Sequence, residues 1–249
     1  MNARKIFITG GTSGVGLIVA KKLLQKGHEV TVTGRNPAVL AELESLGART
    51  IQADLSNVVD LESAISFAGL PEIVIFSAGI GTFAYADELT DEQMEAMFHV
   101  NVMAPMQMTK RLLPGMKGRG SGHFIFLASQ AGKVATPKAS AYAATKHAII
   151  GYTNALRMEI EATGIHVTAI NPGPIDTPFL DIADTTGSYR NSMRKFLLPA
   201  EKVADAVIHS INYPKREVNL PSYMSLSSKL YALAPTFSER LGKRFFTKK

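Results

Sequence analysis

The sequence predicts an α/β protein, a single domain built on a parallel sheet of about seven strands with helices wound over both faces. Two observations carry that prediction. Short, near-continuous apolar runs such as Ile73–Phe76 suit strands covered on both sides. These runs alternate with helix-period segments along the chain, the order that yields a doubly wound parallel sheet. Size agrees: 249 residues, 46% hydrophobic and 19% charged, can bury a core without staples, and no repeat or low-complexity linker interrupts them.

Strands are predicted at Lys5–Thr9, Glu29–Thr33, Thr50–Ala53, Ile73–Phe76, Gly122–Leu127, His166–Ile170 and Glu217–Leu220. Between the first two, Val15–Lys26 carries Leu17, Ala20, Leu23 and Leu24 on one stripe and stops at Gly27. Asn36-Pro37 reads as an N-cap followed by an N1 proline, opening a helix with Leu40, Leu43 and Leu46 that ends at Gly47. Thr90-Asp-Glu-Gln93 is a capping box for a long helix to about Leu113. Another long helix runs from Ser140 to about Thr163, ended by Gly164. The six methionines between Met94 and Met116 are read as core filler.

Composition excludes several chemistries. With no cysteine there is no disulfide framework, thiolate nucleophile or Cys-ligated metal. The six histidines (28, 99, 123, 147, 166 and 209) show no ligand spacing, so no metal is expected. Met1-Asn-Ala-Arg-Lys runs straight into Ile-Phe-Ile, so no secretory signal is expected. The uncharged run Ile73–Ala86 is 14 residues, broken by Gly79 and Gly81, too short for a spanning helix. A cytoplasmic location is expected. The charge of +6 is uneven: residues 222–249 hold six basic residues and one acidic, leaving residues 1–221 near neutral. That is not the spread of a nucleic-acid binder, and no nucleic-acid partner is expected.

Thr9-Gly10-Gly11-Thr12-Ser13-Gly14-Val15-Gly16 joins the first strand to the first helix. Glycines there allow positive φ, backbone approach by a diphosphate and close helix–strand packing, while the helix N-terminus offers free N–H groups. A glycine turn can be purely structural, but its place between first strand and first helix marks a Rossmann-type dinucleotide site. In such sites an acidic residue about 20 positions on selects the ribose hydroxyl, and an arginine accepts a 2′-phosphate. Here the second strand ends Val32-Thr33-Gly34-Arg35-Asn36, without a carboxylate. NADP is therefore expected over NAD, with a merely solvated Arg35 as the alternative.

Ser129 closes the fifth strand, and Tyr142 and Lys146 follow at i and i+4 on a helix, on one face. Hydride transfer to a carbonyl needs a proton donor at the developing alkoxide, which a phenol can be. A neighbouring ammonium favours the phenolate and is expected to bring its pKa toward working pH. Asn101 precedes Pro105 by four residues, so its carbonyl loses a helical partner and a kink is predicted. That carbonyl could hold a water and relay protons toward Lys146; a packing kink with a satisfied asparagine is the alternative.

Taken together, the sequence resembles the short-chain dehydrogenase/reductase family, in its short single-domain branch. The matching stretches are Thr9–Gly16, Asp54-Leu55, Ala78-Gly79, Asn101, Ser129, Tyr142–Lys146 and Asn171-Pro-Gly-Pro-Ile-Asp-Thr177, in the family's order. The resemblance implies a catalytic tetrad of Asn101, Ser129, Tyr142 and Lys146, with Tyr142 as acid/base and Lys146 also on the nicotinamide ribose. It implies cofactor contacts from Gly10, Thr12, Ser13, Gly14, Val15 and Gly16, from Arg35 and Asn36, and from Asp54 (to adenine) and Leu55. Ala78, Gly79, Asn101, Tyr142, Lys146, Pro172, Gly173, Ile175 and Thr177 would complete that shell. Gly34 takes the position that selects NAD when acidic. Ser77 stands where the family usually has asparagine, and its hydroxyl is expected to keep part of the strand-linking role. The family commonly pairs through its two central helices, implying a homodimer or homotetramer.

Pro178–Leu198 is expected to be a mobile lid over a small-molecule substrate; its apolar residues with Arg190, Arg194 and Lys195 fit an apolar substrate with an acidic head group, and a solvated cationic face explains the charges equally well, so the substrate stays open. Residues 222–249 read as a basic amphipathic extension broken at Pro235, its second piece capped by Thr236–Glu239. It is expected to pack on its own subunit or a dimer mate, with peripheral membrane contact as the lesser alternative. The function predicted is an NADP(H)-dependent oxidoreductase interconverting carbonyl and alcohol. Two alternatives are a silent dinucleotide-binding scaffold acting through its tail, and epimerase or dehydratase chemistry, whose relatives usually carry a larger substrate domain.

Overall fold

The computed structural model describes residues 3–246, with side chains as far as residue 240. Lys248 and Lys249, and the side chains of Leu241, Lys243, Arg244 and Phe245, lie outside the described residues. The elements in order are β1 (Lys5–Thr9), α1 (Gly14–Gln25), β2 (Glu29–Gly34), α2 (Pro37–Ser45), β3 (Arg49–Gln52), α3 (Val58–Ala68), β4 (Ile73–Phe76), α4 (Asp91–Phe98), α5 (Ala104–Arg119), β5 (Gly122–Leu127) and α6 (Ser140–Glu159). There follow β6 (Ile165–Pro172), β7 (Ile175–Asp176), α7 (Pro178–Ala183), α8 (Ser188–Met193), β8 (Leu198–Pro199), α9 (Ala200–Asn212), β9 (Glu217–Leu220), α10 (Met224–Leu233) and α11 (Pro235–Phe246). Seven strands form one parallel sheet in the order β3-β2-β1-β4-β5-β6-β9, and β7 and β8 make a two-residue ladder beside it.

The two-residue period of the strands sorts the core by shape. Phe7, Phe76, Phe124 and Phe126 face one way, against α3, α5 and α6. Ile6, Ile8, Ile73, Ile75 and Ile125 face the other, against α1, α2 and α9. The register sets Phe76 beside Phe126, with ring centroids 4.6 Å apart. Met97, Met108 and Met116 are fully buried, whereas Met103 is half-exposed, so the methionine-rich segment fills the core only in part.

Asn36 Oδ1 accepts from Ala38 N and Val39 N to open α2, and Thr90 and Gln93 form the reciprocal capping box of α4. The long helix after it differs from its prediction twice. Between α4 and α5 the chain makes a π-helical turn at His99–Met103, where a kink is predicted. Pro105 has no N–H to return to the Asn101 carbonyl, and a wider turn absorbs the mismatch. The helix then continues past Leu113 to Arg119, because Pro114 and Lys110 are exposed and the lost backbone bond faces water. Helices α3 and α9 are not among those predicted. Asn57 caps the first, whose buried stripe is Leu61, Ala64, Ile65 and Ala68. At the C-terminus α11 starts at Pro235, an N1 proline, rather than under a cap at Thr236.

Candidate active site

The strand order reverses between β1 and β4, and a crevice opens there beyond the C-terminal ends of the strands. It is a cavity of about 1460 Å³. Gly10, at φ 66°, turns the chain under the loop after β4: a Cβ on it would stand 2.6 Å from Ala78 Cα. A Cβ on Gly16 would stand 2.4 Å from the Gly10 carbonyl oxygen, so α1 can approach the turn only without a side chain there. Ser13 holds the N-cap position of α1 without spending its hydroxyl on the helix, and no acidic residue sits in the first turn. The end of α1 therefore presents a positive dipole to the cavity.

The loop after β4 is tied to β1 by Ala78 N, which donates to Thr9 Oγ1 at 3.2 Å. Ser77 Oγ, the group expected to make such a link, instead packs toward Gly16. At the rim, Arg35 lies 65% exposed with Nη1 3.8 Å from Asp54 Oδ2. Desolvation raises the Asp54 pKa, but hydrogen bonds from Ser56 N and Oγ, with the Arg35 charge, hold it below the ordinary carboxylate range. A Cβ on Gly34 would fall 2.4 Å from both Oγ1 and Cγ2 of Thr12. The position where a ribose-binding carboxylate would stand is thus filled by the Thr12 side chain.

On the opposite wall, Tyr142 and Ser129 line the cavity together, and Ser129 Oγ accepts from Ala131 N at 3.0 Å. One turn along α6, Lys146 Nζ donates to the Leu127 carbonyl at 3.0 Å and lies 5.7 Å from the Tyr142 ring centroid. Burial lowers the Lys146 pKa to about 8. Burial also pushes the Tyr142 phenol above its ordinary value, with Ser129 opposing. This corrects the expectation that the neighbouring ammonium depresses it: in the protein alone desolvation outweighs every charge, and Lys146 points its donor at Leu127 O.

Asn101 is buried behind this wall. Its Oδ1 accepts from Ile80 N at 2.9 Å, and its Nδ2 donates to Ile80 O at 2.8 Å and to Thr145 Oγ1 at 3.1 Å. It clamps the loop after β4 to α6, and Thr145 passes the link to the Tyr142 carbonyl at 2.7 Å. Gly79 lies between: a Cβ there would stand 3.4 Å from Asn101 Oδ1 and 3.6 Å from Lys146 Nζ.

Most of the residues predicted from sequence line this cavity: Gly10, Thr12, Ser13, Gly14, Val15, Arg35, Asp54, Leu55, Ala78, Gly79, Ser129, Tyr142, Lys146, Pro172, Gly173, Ile175 and Thr177. Three do not. Gly16 is spent on helix packing, Asn36 on capping α2, and Asn101 on the clamp. Phe83 carries no signal in the sequence; its ring centroid stands 5.7 Å from that of Tyr142 and 4.9 Å from that of Tyr189. Phe83 N donates to Ala183 O at 2.7 Å, which joins the loop after β4 to α7 across the cavity. Phe179 packs on Tyr142 at 5.6 Å, and burial raises the Tyr189 phenol to about 12.

The lid's cations do not line the cavity. Arg190 is ion-paired with Asp176 and, at 2.8 Å, with Asp181, while Arg194 and Lys195 are exposed outside. No residue pair in the sequence marks the partners of Arg190 as close; of the two readings of the lid's charges, the solvated face is the one Arg194 and Lys195 match. Met224, Leu230, Tyr231 and Phe237 of α10 and α11 form part of the wall, so the C-terminal extension folds over the crevice of its own chain. Among the described residues, no cluster of His, Asp or Glu could hold a metal ion.

Known proteins share this plan. The chain matches the short chain dehydrogenase family over residues 4–186. It is 34% identical to the uncharacterized oxidoreductase YxnA of Bacillus subtilis, over 95% of this chain and 70% of that protein. Its identity to D-beta-hydroxybutyrate dehydrogenase of Cupriavidus necator is also 34%, over 72% of this chain and 74% of that one. Among solved structures, the closed form of serine dehydrogenase complexed with NADP+ aligns with a TM-score of 0.78 at 28% identity, covering 86% of this chain and 93% of that chain. With the family matched over well over half of its length, this protein belongs to the short-chain dehydrogenases, a family of oxidoreductases.

Proposed function

We propose that the protein is an NADP(H)-dependent oxidoreductase interconverting a carbonyl and an alcohol on an apolar small molecule. The observation that carries this reading is the meeting of Ser129, Tyr142 and Lys146 in one cavity with the glycine turn, Lys146 Nζ lying 5.7 Å from the Tyr142 ring centroid. The residues fit a dinucleotide: Gly10 and Gly16 leave no room for side chains of their own, and the N-terminus of α1 is free of acidic groups to repel a diphosphate. Gly10 to Val15, Asp54, Leu55, Ala78, Gly79 and the segment from Pro172 to Thr177 would hold it, and the nicotinamide supplies or accepts the hydride when bound.

The chain's own residues supply the rest. Ser129 holds the substrate oxygen by a hydrogen bond. Burial keeps Tyr142 protonated near neutrality, which suits it to donate to the developing alkoxide in the reductive direction. Lys146 steadies the resulting phenolate with its charge, and Asn101 positions the wall on which both sit. Phe83, Phe179 and Tyr189 exclude water around the phenol and favour an apolar substrate. D-beta-hydroxybutyrate dehydrogenase, one of the relatives, is named for a hydroxyl substrate, which supports alcohol–carbonyl chemistry.

Arg35 and the Thr12-filled position of Gly34 favour NADP over NAD. We also propose pairing into a homodimer or homotetramer through the central helices, where Phe98, Met103 and Met158 are exposed. Paired fluorescence titrations with NADPH and NADH test the cofactor reading. NADPH should bind at least about tenfold tighter, equivalent to about 1.4 kcal/mol, and Arg35→Asp should erase the difference. Equal affinities, or a preference untouched by that substitution, would refute it.

A further inference from the structure

Helix α10 is built inside out. Its inward face carries Met224, Ser228 and Tyr231, with Ser228 only 6% exposed. On the opposite face, Leu226, Leu230 and Leu233 repeat at i, i+4 and i+7 and are 66%, 55% and 83% exposed. A helix satisfied by its own subunit would bury the leucines and expose the serine. Across the Pro235 break, Phe237 of α11 is exposed as well, and Tyr231 Oη, donating to Glu239 Oε1 at 3.0 Å, joins the two helices.

The surroundings say what covers this face. Lys229 and Arg240 are exposed beside it, and residues 222–249 carry five of the chain's six net positive charges. Leu230 and Phe237 also line the cavity although exposed, as do the exposed Ile182 and Phe196 of the lid, and Arg194 and Lys195 precede Phe196 in the chain. Exposed apolar residues that line a cavity, with exposed cations close to them in the chain, are complementary to an anionic lipid surface. Among the described residues no helix is long and apolar enough to cross a membrane, so the contact is peripheral.

We propose that α10 and α11 dock the protein on an anionic bilayer, leucines in the interface, with the cavity mouth turned to the lipid. An apolar substrate can then pass from bilayer to cavity without crossing water.

The test is co-sedimentation of the full-length protein with vesicles of phosphatidylcholine mixed with phosphatidylglycerol, against phosphatidylcholine alone. It reads neither nucleotide binding nor turnover, so its failure leaves the proposed reaction standing. Binding should be at least about tenfold stronger to the anionic vesicles and should fall as salt is raised. Leu226→Asp/Leu233→Asp alters two exposed residues outside the cavity wall and should lower binding at least about tenfold. Lys229→Glu/Arg240→Glu should do the same while keeping the leucines. No binding, equal binding to neutral vesicles, or binding unmoved by both variants would overturn the proposal. So would a fall in oligomer mass for Leu226→Asp/Leu233→Asp in lipid-free solution, since a second copy of the chain would then cover the face.

Discussion

Replacing Asn101 with alanine separates a structural clamp from a mere packing kink. The substitution removes three hydrogen bonds, two to the backbone of Ile80 and one to the buried Thr145 hydroxyl. Each buried polar group left without a partner costs about 1–3 kcal/mol. Thr145 keeps its bond to the Tyr142 carbonyl, and Ile80 is only half-buried, so water can reach part of the gap. The sum should lie toward the lower end, about 3 kcal/mol. In a chain of this length 1 kcal/mol moves Tm by about 2–4 °C, so the variant should melt about 6–12 °C lower. Turnover should fall too, because Asn101 holds the loop whose Gly79 lies beside Lys146 Nζ. Thermal and urea unfolding, with activity measured well below the new Tm, read both effects. A Tm drop of less than about 2 °C would refute the clamp, whatever happened to activity.

Two further outcomes follow from burial and packing. Burial lowers the His123 pKa to about 3, helped by the charges of His166 and Arg4, whereas an unfolded histidine titrates near 6.5. Below pH 6.5 the unfolded chain takes a proton that the native chain refuses, so stability falls with pH between 6.5 and 3. By pH 5 the loss from this group is about 2 kcal/mol, and His28, lowered chiefly by its own burial, acts in the same direction. Urea unfolding at pH 7.5 and pH 5 should show it, and His123→Gln should flatten it; a pH-independent wild type would contradict the assignment. Gly16→Ala places a Cβ 2.4 Å from the Gly10 carbonyl oxygen, and α1 must move away from the turn. Nucleotide titration should then show at least about tenfold weaker binding, and unchanged affinity would show that the turn tolerates the shift.

The strands were legible because burial on both faces leaves apolar runs with little else to become. β1, β4, β5 and β9 fall at their predicted bounds, Tyr142 and Lys146 share a helix face as their spacing implies, and the glycine turn lines the same cavity as they do, as the family resemblance implies. What sequence could not show depends on partners far along the chain. Arg190 reads as a free cation until the fold brings Asp176 and Asp181 to it. Pro105 announces a broken bond, but whether the helix kinks or widens into a π turn is decided by what packs around it. The amphipathic tail is visible in sequence, whereas the inversion of α10, leucines outward and serine inward, is not. The Tyr142 phenol is shifted by its depth, a tertiary property, and so moves opposite to what its neighbour's charge suggests.

The most direct test of the account is NADPH consumption with a panel of apolar ketones and aldehydes, by the wild type and by Tyr142→Phe. The wild type should reduce at least one of them, and the variant should bind nucleotide undiminished yet turn over about 10²–10⁴-fold more slowly, the range for a lost general acid. A variant as fast as the wild type would contradict the role given to Tyr142, and a wild type that binds neither nicotinamide nucleotide would contradict the reaction itself.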